Sequence, residues 1–178
     1  MKIINPATEE VIREIQEDSR VSVNQKFQSL QTAQPAWQQV PLSERVDILK
    51  QFAVLLEKNI EQLATVMTSE VGKPLQQSRN EINGAGKRIG WLADNAANYL
   101  SDETMLLEKG LEEKISYEPL GVICNISAWN YPYLVGVNVF IPALLGGNGV
   151  LYKPSEYATL TGLQIEKFLK EKSYYRDL

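Results

Sequence analysis

With 178 residues, 44% of them hydrophobic and 22% charged, the chain has the size and balance of one globular domain with a genuine core. A net charge of -4, from 18 Lys+Arg against 22 Asp+Glu with no basic stripe, argues against a nucleic-acid partner. Histidine is absent and there is one cysteine, which excludes Ser-His-Asp and Cys-His catalysis, an internal disulfide and a thiolate zinc cage. Any base must then be a carboxylate, a lysine or a group from outside the chain. No apolar run reaches the roughly 18 residues needed to cross a bilayer. Glu9 and Glu10 stand where a signal peptide would be apolar, so a cytoplasmic, membrane-free protein is expected.

The opening "INPATEEVIREIQ" places turn residues between Ile3–Ile4 and Val11–Ile12, which predicts a small hairpin. Val23, Phe27, Leu30, Ala33 and Trp37 recur at helical spacing over 22–39, with Pro35 expected to break the helix near its end. A single helix is predicted over 43–71, capped by Ser43, striped by Leu49, Phe52, Leu56, Leu63 and Met67, and ended by Gly72 and Pro74. Another follows over 75–100. It contains "GAGKRIG", which follows no strand and has Arg88 where a phosphate loop needs Ser or Thr. Close helix packing is the expected reason for Gly84, Gly86 and Gly90.

Residues 114–117 read as an exposed strand, and Val122–Ile126 as a buried one carrying Cys124. A buried helix over 133–145, a second buried strand "GVLYK" and an amphipathic helix over 158–172, with Leu160, Leu163, Phe168 and Leu169 inward, complete a βαβα pattern. The fold class expected is α/β: a hairpin and helices, then the first unit of a doubly wound, Rossmann-like parallel sheet that is incomplete. Residues 1–118 form the first part and 119–178 the first half of the sheet.

In such sheets ligands bind at the carboxyl ends of the strands. Asn130 follows the first strand of the unit, and Lys153 and Glu156 follow the second. Neighbouring parallel strands are about 4.8 Å apart, so these side chains can reach one crevice. Lys153 can donate to ribose hydroxyls and Glu156 can accept from them, which favours NAD over NADP. The missing glycine fingerprint leaves the residue reading at a nucleotide-sized ligand, with a solvated loop and weak surface ion pair as the plain alternative.

The stretch "EPLGVICNISAWNYPYLVGVNVFIPALLGGNGVLYKPSE" resembles the aldehyde dehydrogenase superfamily, whose P-x-G-V, W-N-[FY]-P, P-A-L-x-x-G-N and K-P-[AS]-E motifs stand in this order and spacing. "INPATEEVI", "AWQQVPLSERVDILKQFAVLLEKN" and "EVGKPLQQSRNEI" are similar to it too, so the likeness extends to about residue 172. The resemblance implies that the Asn130 carboxamide helps form an oxyanion hole. It places Ile126, Ser127, Ala128 and Trp129, with Asn130, beside the nicotinamide, and Lys153, Ser155 and Glu156 at the adenine ribose. Tyr131, Val135 and Asn138 would line the aldehyde channel, with no metal involved.

The reaction so implied is oxidation of an aldehyde to a carboxylic acid with NAD (NADP possible). The nucleophilic cysteine and the base glutamate would lie beyond position 178, so the catalytic domain is absent and this chain alone is expected to be inactive. Cys124, expected to be buried and inert, is no substitute. After "LQIEKFLKEK" the ending "SYYRDL" lacks the turn and third strand expected next, which suggests a truncated gene or an excised fragment. Uncovered sheet edges predict a homo-oligomer. The alternative expectation is a non-catalytic remnant that acts as an interaction subunit of a full-length homologue.

Overall fold

The structure, a computed structural model, describes residues 1–172, and the final "SYYRDL" lies outside them. At the amino end, β1 (Lys2–Ile4) pairs antiparallel with β2 (Val11–Glu14) around a turn in which Asn5 Oδ1 accepts from Ala7 N at 2.9 Å. α1 (Arg20–Gln38) starts at Ser19, whose side chain accepts from Ser22 N. Pro35 lies within the helix and does not end it. Two long-range bonds hold that last turn: Gln34 Nε2 donates to Gly147 O and Trp37 Nε1 to Leu144 O, both at 2.9 Å. Tertiary anchoring thus overrides the local breaker.

The stretch expected to be one helix over 43–71 is two, α2 (Leu42–Lys58) and α3 (Ile60–Val71). Asn59 interrupts it at φ -110 and ψ 18: its backbone N–H still makes the helical bond to Leu55 O, and its carboxamide folds back to donate to that same carbonyl at 2.8 Å. Pro41 rather than Ser43 occupies the cap position, and its carbonyl accepts from Glu44 and Arg45 N. Gly72 ends α3 in the left-handed region at φ 77. A Cβ there would lie 2.8 Å from Pro6 Cγ, so glycine is required both by the backbone and by the hairpin turn that presses on it.

α4 (Leu75–Leu100) carries "GAGKRIG" in its interior. The packing explanation for its glycines fails: a Cβ at Gly84, Gly86 or Gly90 would meet nothing within 4 Å. The exposed strand expected at 114–117 is one arm of a hairpin, β3 (Glu103–Glu108) with β4 (Leu111–Ile115), turning at Gly110 with φ 88. Its shift in register from the expectation follows from that partner strand, which the sequence reading did not find.

β5 (Val122–Ile126), α5 (Pro132–Leu145), β6 (Gly149–Lys153) and α6 (Thr159–Lys172) form the βαβα unit, with β5 and β6 parallel. The main core lies between α2, α3, α4 and α5, centred on residues such as Phe52, Leu56, Met67, Ile89 and Phe140. The strands are less buried than expected. Asn125 and Tyr152 face α5, whereas Cys124, Ile126 and Leu151 point to the opposite face, on which Leu30 and Gln34 of α1 lie against Gly149. Cys124 is therefore exposed, not buried. Leu163, expected inward on α6, is 40% exposed, while Ile165 takes the inward position. No helix among the described residues is long and apolar enough to cross a membrane.

Candidate functional site

The parallel pairing brings the strand ends level. The register runs from Val122 opposite Gly149 to Ile126 opposite Lys153, and Ser127 N then donates to Lys153 O at 3.0 Å. The loops after β5 and β6 leave the sheet side by side and touch: the Trp129 and Tyr157 rings meet edge-on with centroids 6.4 Å apart. Asn130, Lys153 and Glu156 thus share one rim of the βαβ unit.

On that rim Lys153 Nζ lies 3.4 Å from Glu156 Oε2, with side chains 58% and 60% exposed. The Glu156 carboxyl is held below its ordinary range, first by its own backbone N–H and then by the Lys153 ammonium. It is ionised near neutrality and can accept further hydrogen bonds. Ser155 is buried, its hydroxyl 3.4 Å from the same carboxylate oxygen and 3.3 Å from Tyr157 N. Ile126 is 74% exposed, and Trp129 and Tyr131 are half-exposed.

Ala128 is also exposed, while Ser127 is buried with its hydroxyl beside the Tyr152 phenol. These residues fit a dinucleotide: an ammonium and a carboxylate with spare hydrogen-bonding capacity at one side, exposed apolar surface at the other. Val135 and Asn138 continue along the outer face of α5. The Asn138 carboxamide is already engaged, accepting from Arg88 Nε at 2.8 Å and donating to Leu134 O at 2.9 Å. Among the described residues there is no cluster of three or more His, Cys, Asp or Glu side chains able to hold a metal ion.

Beneath the rim are charged residues that the sequence reading did not single out. Glu81 of α4 is buried, and its Oε1 accepts from Tyr133 N at 2.9 Å and Leu134 N at 3.3 Å, capping α5. Its Oε2 pairs with Lys73. Lys73 Nζ also donates to Asn130 O at 2.6 Å and lies 3.8 Å from the Tyr131 ring centroid. Glu70 of α3 caps α6 in the same way, accepting from Leu160 N at 2.6 Å and from Thr161 N and Oγ1 at 2.9 and 3.1 Å. Burial pushes the Glu70 carboxyl above its ordinary range, and the hydrogen bonds from α6 only partly offset it. Carboxylates suit these places because the first amides of a helix lack partners and its dipole is positive there.

Both glutamates had a visible signal. Glu70 continues the stripe Leu63, Met67, and Glu81 sits between Ser78 and Ala85 on the buried face of α4. A carboxylate on an apolar helical stripe needs a buried partner.

The aldehyde dehydrogenase family model matches residues 1–174. The chain is 31% identical over 166 residues to a 3,6-anhydro-alpha-L-galactose dehydrogenase from a Vibrio species, covering 92% of this chain and 34% of that protein. It is 30% identical over 171 residues to a probable NADP(+) succinate-semialdehyde dehydrogenase from a Synechocystis species, covering 96% of this chain and 37% of that one. Among solved structures, a double mutant of betaine aldehyde dehydrogenase from Staphylococcus aureus in complex with NAD+ superposes with a TM-score of 0.91 at 26% identity. That match covers 99% of this chain and 36% of the other. The chain thus spans about a third of the length of the curated relatives it matches.

Proposed function

Because the chain belongs to the aldehyde dehydrogenase family, we propose that it forms the amino-terminal, cofactor-binding part of an NAD(P)-dependent enzyme that oxidises an aldehyde to a carboxylic acid. The observation that carries this reading is the level pair of strand ends, with Lys153 and Glu156 on one loop and Trp129 and Asn130 on the other. In it, residues 1–178 are part of an NAD(P)-binding domain, 1–118 supplying the hairpins and helical layer and 119–178 the first half of its sheet.

Lys153 and Glu156 would hold the adenine ribose, the ammonium donating and the carboxylate accepting. Ser155, buried between the helix start and the strand end, keeps the Glu156 carboxylate in place. Ile126 and Trp129, with Ser127 and Ala128, would form the wall and backbone beside the nicotinamide. The cofactor, when bound, supplies the hydride acceptor. Asn130 presents a neutral, fixed donor to the oxygen on which negative charge develops. Tyr131, Val135 and Asn138 would shape the aldehyde channel. The thiol nucleophile and the carboxylate base come from outside these residues in this reading. Cys124 is exposed on the open face of the sheet, pointing away from α5 and its amino end, and takes no part.

Glu156 repels a 2′-phosphate, so NAD is the preferred cofactor, with NADP possible. Calorimetric titration of the 178-residue chain tests this: weak NAD+ binding, weaker NADP+ binding, and no aldehyde oxidation are expected. Absence of binding by either dinucleotide, or turnover that disappears in Cys124→Ser, would refute it.

A second reading, a non-catalytic subunit that joins a full-length homologue, is favoured by the β3–β4 hairpin. Its Met105, Leu107 and Leu111 are 62%, 76% and 49% exposed. The same surface supports assembly into homo-oligomers, and a cytoplasmic location accompanies both readings. A clean monomer by size-exclusion at high concentration would count against association.

A further inference from the structure

Residues 129–131 are exposed, yet the loop is tied from below by one ammonium group. Lys73 Nζ donates to Asn130 O at 2.6 Å and packs 3.8 Å from the centroid of the Tyr131 ring. Its side chain is only 9% exposed, and it is paired with Glu81, whose side chain is 0% exposed. The other oxygen of Glu81 takes the N–H groups of Tyr133 and Leu134. One ion pair therefore grips the chain on both sides of Pro132, the buried first residue of α5.

We propose that Lys73 is the positioning residue of the site: held by Glu81, its ammonium fixes the Asn130 carbonyl and the Tyr131 ring, and so sets where the Asn130 carboxamide is presented. The inference rests on the reading of Asn130 as the oxyanion donor and extends it to a residue 57 positions away in sequence.

The physical need is plain. A donor stabilises developing charge without reorganisation only if it is already in place, and a misplacement of about 1 Å can cost about a hundredfold in rate. An exposed loop does not supply that rigidity unaided. A lysine suits the task because its ammonium carries three donors, directed here to a carboxylate, a carbonyl and an aromatic face. Burying such a pair is not in itself stabilising, since desolvation offsets the attraction. What it supplies is registry between α4 and the loop. The segment carrying Lys73 is fixed in turn, because it leaves α3 through the left-handed Gly72, against which Pro6 packs.

Nitrogen-15 relaxation on the 178-residue chain reads the effect directly. In the wild type, the backbone N–H of Asn130 and Tyr131 should be as rigid as helical backbone, with order parameters near about 0.85. Values below about 0.6 there would overturn the proposal before any substitution is made. Lys73→Met/Glu81→Gln removes both charges but keeps an amide oxygen for Tyr133 and Leu134 N–H, so α5 remains capped. In that variant Asn130 and Tyr131 should fall toward about 0.6 while residues 153–156 keep wild-type values. Unchanged order at Asn130, or a uniform loss along the whole chain, would reduce Lys73 to an ordinary structural residue. Lys73→Arg, which keeps the charge and several donors, should restore the order.

Dinucleotide titration of the same samples separates the two ideas. A wild type that binds no NAD+ but loosens at Asn130 only when Lys73 is replaced refutes the cofactor reading and supports the positioning one. A wild type that binds NAD+ with an Asn130 indifferent to Lys73 does the reverse.

Discussion

Two lysine–glutamate pairs flank the same strand ends and are built in opposite ways. Lys73–Glu81 is buried beneath the rim, with both partners spending their remaining capacity on backbone groups and an aromatic ring. Lys153–Glu156 lies on the rim, more than half exposed, with a 3.4 Å separation and capacity left over. The first is satisfied internally and so can only hold structure. The second is unsatisfied internally and so can hold a ligand. Identical chemistry is thus divided by burial into a support and a pair free to take up a ligand, and Glu70, buried without a lysine, lies between these extremes.

The largest effect should come from breaking the buried pair. Glu81→Leu leaves the Lys73 ammonium buried without its counter-ion and the α5 amides without an acceptor, at a cost of about 3–5 kcal/mol in urea unfolding. Glu70→Leu removes the acceptor of Leu160 and Thr161 but strands no cation, so a loss of about 1–3 kcal/mol is expected. Equal losses at the two sites would mean that the counter-ion matters less than the cap, and the contrast drawn here would fail.

These residues also show where the sequence was legible. The βαβα unit was readable because short apolar strands, a buried helix and the polar strand ends each carry a local pattern. Asn130, Lys153 and Glu156 could be placed at one rim for the same reason, since they follow the ends of patterned strands, whereas Ile126 to Trp129, Tyr131 and Ser155 were singled out only by the family resemblance. Glu81 shows in the sequence only as a carboxylate on a buried helical face; its role and that of Lys73 were not read, because they depend on α4 crossing under a loop some fifty residues away. The break at Asn59 and the survival of α1 through Pro35 were hidden likewise, one behind a side chain that captures Leu55 O, the other behind bonds to Leu144 and Gly147. Cys124 is exposed because it lies on the sheet face turned away from α5, which strand hydrophobicity does not reveal.

A smaller effect separates Glu70 from Glu156 by the sign of its pH dependence. The Glu70 carboxyl is raised above its ordinary value of 4.5, so between 4.5 and its folded value the native state binds more protons than the unfolded chain. Its contribution to stability is therefore present below 4.5 and lost as pH rises through that window. The Glu156 carboxyl is lowered, so its contribution is present above 4.5 and lost as pH falls through its folded value. Subtracting the urea midpoints of Glu70→Gln from those of the wild type across pH 4 to 7 should give a curve that declines with pH. A flat or rising difference would show that the α6 amides, not burial, dominate at Glu70.

The smallest change in stability belongs to the rim. Lys153→Ala removes an exposed ion pair of poor geometry, and a melting point close to that of the wild type is expected because solvent screens both charges. In the proposed function the same substitution removes a donor to the ribose, so NAD+ affinity should fall by about tenfold, about 1.4 kcal/mol. Stability and binding thus separate at Lys153, whereas at Glu81 a large stability loss is expected. The test is a melting curve beside a titration on one sample of Lys153→Ala. If the melting point drops by many degrees while NAD+ affinity is unchanged, the rim pair is a structural group after all, and the division of the two pairs by burial is wrong.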